Sequence, residues 1–392
     1  MVAKMEEQKK WLIETAETLH KSVWELAWKI GHNPEVGYKE HFAVSLLTGY
    51  LKRYGFQVER PLAGMETSFL ARFKGNKPGP KIAFLAEYDA LPDIGHGCGH
   101  HLIGAASVGA AVVLSLSTDL QGELVVIGSP AEETSGAKVS LVEAGLFDDI
   151  DIAMMFHPGS CNVPEISSLA LDAIEVAFLG KAAHMVIANN DSINALDAML
   201  IFFQMLEKLK RKLSDMERID GIITQGGKSP NIVPDYTEAR FYLRAEKREK
   251  LEVIRQKFLD CAYRAAAKVN AQMKWNFFEC SYHEMRSNRV LADCCRNNLI
   301  LLGIKEIEPP QTMLGSVDMG NVSQVVPAIH PYLRLGSGYE IPHTKDFAAA
   351  GLSEEGEKVL LLAVKLLALT AWDVISNKKL LADIQKEFKA NS

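Results

Sequence analysis

Between Ser68 and Pro158 short apolar runs alternate with helical stretches, and few architectures accommodate that order. "SFLARFKG", "KIAFLAEYD", "GELVVIGSP" and "IDIAMMFHP" are β-leaning runs bounded by glycine and proline. A small-residue helix from about His101 to Leu116 and a second helix in "SGAKVSLVEAGL" separate them. Near-continuous apolar strands with helices between them predict an α/β domain, its mostly parallel sheet covered on both faces.

Around Ser168 the pattern changes. "LALDAIEVAFLG", "TEARFYLRAE" and "MKWNFFECSY" read as strands, and two long charged-face helices lie between them in "SINALDAMLIFFQMLEKLKRKL" and "KREKLEVIRQKFLDCAYRAAAKVNA". A β-α-β-β-α-β order predicts an inserted α+β domain of the split βαβ, ferredoxin-like kind. The chain, at 392 residues, exceeds what one core usually fills. The expected division is 1–168 and 286–392 for a larger domain, with 169–285 inserted.

The first residues, "MVAKMEEQKKWLIETAETLH", carry early acids and read as an amphipathic helix rather than a secretory signal. "VLLLAVKLLALTAWDVI" is interrupted by Lys365 and Asp373 and reads as a core helix, not a membrane span. A net charge of −6 gives no electrostatic reason to expect nucleic acid or an anionic membrane as partner. Six cysteines are too few for a disulfide scaffold, so reduced thiols and a cytoplasmic location are expected.

The side chains with chemistry cluster where strands end, the crevice in which open α/β sheets bind ligands. Asp89 follows "KIAFLAEY"; Cys98 and His100 come next, before a helix. Glu132 and Glu133 follow "ELVVIG", His157 follows "DIAMMF", and His343 stands in "GYEIPHTKDF". Cys98 and His100 can share a face if the backbone is extended, although a lone Cys-x-His is more often a buried thiol beside a structural imidazole. In an extended loop Glu132 and Glu133 would point oppositely, one carboxylate toward a metal and its neighbour toward water as general base. Cys, His, Glu and two distant His suffice for two metals ~3.5–4 Å apart if one ligand bridges.

"AEYDALPDIGHGCGHHLIGAA", "AEETSGAK", "GKAAHM", "NALDAM", "GGKSPNIVPDY" and "DMGNVSQVVPAIHPY" together resemble the dimetal aminoacylase/carboxypeptidase family of metallopeptidases. The similarity runs over almost the whole chain. It points to the branch with p-aminobenzoyl-glutamate hydrolase, indole-acetyl-amino-acid hydrolases and β-alanyl-lysine dipeptidase-like proteins. The resemblance implies a zinc-peptidase-like catalytic domain with an inserted lid that forms a homodimer. It implies two divalent ions per subunit (Zn or Mn, with Co or Ni as further options), held by Cys98, His100, Glu133, His157 and His343. Glu132 takes the place of the general base and Asp89 that of the acid buttressing a ligand. His184 corresponds to a lid histidine that reaches the substrate carbonyl, and Asn231 and Arg244 to residues holding the substrate carboxylate. Read alone, Arg244 could be a surface ion-pair partner and Asn231 an Asx-turn residue.

Two departures stand out. His101 replaces the usual Asn or Asp, adding an imidazole beside the ligands, and "VIANNDSINALDA" lacks the expected Pro and Gly. The implied activity is hydrolysis of N-acyl amino acids or dipeptides bearing a free carboxylate, by a metal-activated water with Glu132 as general base. The alternatives are a cysteine amidase with Cys98 as nucleophile, a non-catalytic binding protein on the same fold, and a closed structural zinc site.

Overall fold

A computed structural model describes residues 2–183, 192–338 and 341–391, with the side chains of 2–5 left aside. The chain groups into two units. One comprises Met1–Ser167, Met285–Thr312 and Asp318–Ser392; the other comprises Ser168–Glu284 and Met313–Val317. The short return segment joins the second unit, where Leu169 N–H donates to Gly315 O at 3.0 Å.

The first unit is built on a six-stranded sheet. Its order is Gln57–Glu59, Phe69–Lys74, Gln121–Gly128, Lys77–Ala86, Ile152–Met154 and Ala328–Ile329. The last four strands run parallel, and the first two are antiparallel additions at one edge. Only two residues separate Phe69–Lys74 from Lys77–Ala86, too few for a parallel crossover, so the chain reverses there. Ile82 to Ala86 are wholly buried, which is why that run is continuously apolar.

Helix His100–Ser115 is buried at every position from His100 to Leu114. It packs against the helices Val2–Gly31 and Glu354–Ser376 and against the central strand. Small residues are required there, because a Cβ on Gly104 would come within 2.7 Å of Glu87 O. Glu354–Ser376 is the one helix among the described residues long and apolar enough to cross a membrane, but most of it is buried in the protein. Its two interrupting charges are paired: Lys365 with Glu17 at 2.6 Å and Asp373 with Lys9 at 2.7 Å.

The second unit is an antiparallel sheet in the order Gln272–Phe277, Ala170–Leu179, Tyr236–Ala245, Arg218–Gln225. Helices Ala195–Lys210 and Arg248–Val269 complete a β-α-β-β-α-β chain order. The strand Arg218–Gln225 is the one element of this unit that no sequence signal located, since seven of its eight residues are exposed. Tyr236–Ala245 alternates, with Thr237, Ala239, Phe241, Leu243 and Ala245 buried. Phe202 meets Phe178, Phe241 and Phe258 edge-on at ring separations of 5.8, 5.5 and 5.2 Å.

Candidate metal centre

Because the last four strands are parallel, their following loops emerge at one edge of the first unit. The loop after Lys77–Ala86 carries Glu87 and Asp89, that after Gln121–Gly128 carries Glu132 and Glu133, and His157 follows Ile152–Met154. Cys98 and His100 do not converge through an extended backbone, as the sequence reading supposed. Gly99 between them adopts φ +74 as the N-cap of the helix that His100 begins. A Cβ there would lie 2.6 Å from Pro158, so only glycine allows the approach.

The carboxylate pair also differs from expectation. Residues 131–136 form a turn closed by the N–H groups of Ser135 and Gly136 on Ala131 O, at 3.1 and 3.0 Å. Glu132 and Glu133 therefore face the same spot. Glu132 Oε2 and Glu133 Oε1 lie 3.9 and 3.8 Å from His100 Nε2. Ala131, at φ 56, is held in the left-handed region by its N–H bond to buried Glu40 Oε1 at 2.9 Å. His343 is the second non-glycine residue of the site with positive φ, at 66, and its N–H donates to Gly97 O at 2.9 Å.

Two sets of donor atoms form around one thiol. Cys98, His100 and His157 make one set and Cys98, Glu133 and His343 the other, all atoms of each set within 4.8 Å of one another. His100, Glu132 and Glu133 form a third overlapping group. Asp89 buttresses the arrangement: Oδ1 accepts from His100 Nδ1 at 2.8 Å and Oδ2 from Glu133 N–H at 3.0 Å. His157 Nδ1 donates to Pro158 O at 2.7 Å, and its ring stacks on Tyr332 at 4.8 Å. Both imidazoles thus leave Nε2 for a ligand.

The donor set fits divalent cations. His100 Nε2 and Glu133 Oε1 are buried without a hydrogen-bond partner, a costly arrangement unless a cation occupies the space between them. Thiolate, imidazole and carboxylate together suit Zn and other first-row ions.

The electrostatics disfavour a free nucleophilic thiolate. Burial, and then the Glu133 carboxylate, push the Cys98 thiol well above the usual thiol range. Burial raises Glu132 as well, with Glu87, Asp318 and Glu133 adding to the effect. Burial lowers His157 to about 4, reinforced by His100.

His101 is not drawn into the ligand set. Its ring turns away and Nε2 donates to Gly351 O at 3.0 Å, while the ring packs 4.9 Å from that of His96. Arg244, on the second unit's sheet, lies over Tyr242 at 5.1 Å and 3.6 Å from Asp220, with Nε buried and unpartnered. Asn231 is exposed and accepts from Ser229 Oγ. His184 lies outside the described residues.

Three charged residues beside the centre escaped the sequence reading. Lys138 is fully buried and donates to Glu87 Oε1 at 2.5 Å and Asp318 Oδ1 at 2.6 Å. Burial opposes charge on Glu87, but Lys138, His100, His330 and His157 outweigh it and hold the carboxyl at about 2. The only local signal was the first acid of "AEYD" at the end of a buried strand, where a charge needs a partner.

The chain is similar to several known proteins. Residues 170–270 match the peptidase dimerisation domain family. The mouse Xaa-Arg dipeptidase is 36% identical over 379 residues, covering 91% of this chain and 86% of the mouse protein. Its human counterpart is also 36% identical, covering 93% and 88%. A solved Bacillus subtilis structure, described as a dinuclear metal binding peptidase from the M20 family, superposes with a TM-score of 0.71 at 20% identity, covering 92% of this chain and 99% of that one.

Proposed function

This chain belongs to the M20 family of metallopeptidases and is a metal-dependent dipeptidase or amidohydrolase, and on that footing we propose that it cleaves dipeptides whose C-terminal residue carries a basic side chain. The 36% identity to two Xaa-Arg dipeptidases supports that substrate class. The observation that carries the reaction is Cys98 shared between two donor sets with Glu132 alongside.

Two divalent cations, when bound, supply the Lewis acidity that polarises the scissile carbonyl and brings the pKa of water toward about 7. The residues that would hold them are Cys98, His100 and His157 in one donor set and Cys98, Glu133 and His343 in the other. Zn suits the thiolate and imidazoles best, and Mn the carboxylate. Asp89 keeps the proton of His100 on Nδ1. Glu132, whose proton affinity is raised by burial and by neighbouring acids, takes a proton from the attacking water and passes it to the leaving amine. Arg244 and Asn231 hold the substrate carboxylate through a charge-assisted and an amide hydrogen bond, and His184 steadies the carbonyl oxygen.

The match to a peptidase dimerisation domain supports a homodimer formed through the second unit. Six cysteines without a disulfide support a reducing compartment such as the cytoplasm.

The test is a panel of dipeptides and N-acyl amino acids supplied with Zn, Mn or Co, read by release of a free amino group. Dipeptides ending in Arg or Lys are expected to show at least a tenfold higher kcat/KM than those ending in Leu, about the discrimination one satisfied charged contact provides. Equal turnover of both classes overturns the substrate assignment. Activity that survives complete chelation but dies on thiol alkylation would restore the cysteine amidase.

A further inference from the structure

The segment 35–40 touches both loops that carry the acids of the centre. Glu35 O accepts from Ala90 N–H at 2.8 Å, next to Asp89, and Val36 pairs with Ala90 in a single bridge. Gly37 lies against the turn 131–136 so closely that a Cβ on it would come within 2.5 Å of Thr134 Oγ1 and 2.8 Å of Ala131 Cβ. Tyr38 Oη accepts from Ser135 Oγ at 2.6 Å. Glu40 is wholly buried at the start of the helix His41–Arg53, and its Oε1 accepts the Ala131 N–H at 2.9 Å.

Ala131 depends on that bond. At φ 56 it sits in the left-handed region, which is disfavoured for a residue with a Cβ and persists only where the surroundings impose it. Without an acceptor its buried N–H would be left unpaired, and the turn would relax to pair it elsewhere. Glu132 is the next residue and would swing with the backbone. Glu133 has an anchor of its own, since its N–H donates to Asp89 Oδ2 at 3.0 Å. We propose that Glu40 is a positioning residue: by fixing Ala131 in the left-handed region, it holds the Glu132 carboxylate against the metal centre.

The inference rests on the reading of Glu132 as general base and ties that base to an acid 91 positions from Ala131 in the chain. The bond requires an acceptor oxygen at the right reach and does not require charge. Burial disfavours charge on Glu40 and raises its carboxyl, so a neutral amide suits the same space. Length is the demanding feature: removing one methylene withdraws the oxygen by about 1.5 Å, roughly one carbon–carbon bond, and breaks the contact with Ala131.

Glu40→Gln, Glu40→Asp and Glu40→Met test this in the metal-loaded enzyme. Steady-state kinetics on the best-cleaved dipeptide of the panel separate kcat from KM, and competition with a chromophoric chelator gives the metal affinities. In the Asp and Met variants kcat is expected to fall about 10- to 100-fold, the cost of misplacing a reacting group by about 1 Å. KM and both metal affinities should stay close to wild type, and Glu40→Gln should recover most of kcat. Adding Ala131→Gly to Glu40→Met should restore kcat several-fold, because glycine adopts positive φ without help. Wild-type kcat in Glu40→Asp overturns the proposal. So does a parallel loss of kcat, KM and metal affinity in the Asp and Gln variants alike, which is the mark of a purely structural acid. Where Glu40→Met fails to fold, the Asp and Gln pair decides. Wild-type kcat in Glu132→Gln would instead remove the general-base reading itself, a result distinct from either.

Discussion

His100 donates from Nδ1 to Asp89 Oδ1 at 2.8 Å, and this bond decides which ring nitrogen faces Glu132 and Glu133. The same carboxylate receives Glu133 N–H at 3.0 Å, so one acid orients donors from two loops. Asp89→Asn can offer its amide nitrogen to the ring and favour the wrong tautomer. Metal affinity is expected to fall 10- to 100-fold, the usual cost of losing a carboxylate behind a ligating imidazole, as measured by chelator competition.

Glu132→Gln separates proton transfer from metal binding. Both metal equivalents are expected to remain, while kcat falls 10²- to 10⁴-fold, the range for a lost general base. Single-turnover assays alongside metal analysis check both halves. A variant that loses its metal instead would mark Glu132 as a ligand, in keeping with its place in the group with His100 and Glu133.

Lys138→Met leaves Glu87 and Asp318 buried without their shared cation. Breaking a buried ion pair from one side typically costs about 3–5 kcal/mol, and that loss is expected in urea denaturation. Lys138→Arg should recover little, because the wholly enclosed ammonium leaves no room for a guanidinium.

His101 makes the fold sensitive to acid. Burial lowers its pKa from 6.5 to about 4, so below pH 6.5 the unfolded chain takes up a proton that the folded chain refuses. Its contribution is complete above pH 6.5 and disappears as the pH falls toward 4. That amounts to about 1.4 kcal/mol per pH unit, on the order of 3 kcal/mol over the interval. His101→Asn should be less stable at neutral pH, having lost the bond to Gly351 O, and should show a shallower decline from pH 6.5 to pH 4.5 in denaturant titrations.

Cys98 offers a third measurement on the centre, after Asp89 and Glu132. With its thiol buried and its pKa raised first by burial and then by Glu133, iodoacetamide is expected to label it far more slowly than the half-buried thiols Cys161, Cys261 and Cys280 at neutral pH. Metal chelation should abolish activity before any alkylation of Cys98 appears in the mass spectrum. Rapid labelling with parallel loss of activity would favour nucleophilic chemistry.

The order of strands and helices, the core helix near the C-terminus and the residue types at each strand end were legible from sequence, because burial writes apolar periodicity into neighbouring residues. Arg218–Gln225 was not, since an exposed edge strand needs no such pattern. How Cys98 reaches His100, and how Glu132 and Glu133 share one direction, depended on two left-handed residues, Gly99 and Ala131. Distant residues constrain both positions: Pro158 leaves no space for a Cβ at 99, and Glu40 accepts the N–H of Ala131. Lys138, an unremarkable lysine at a helix start, acquired its importance only when folding placed Glu87 and Asp318 around it. Short-range patterning is thus a property of the sequence, whereas the pairing of buried charges depends on contacts between residues 51 and 180 positions apart, which only the closed tertiary structure brings together.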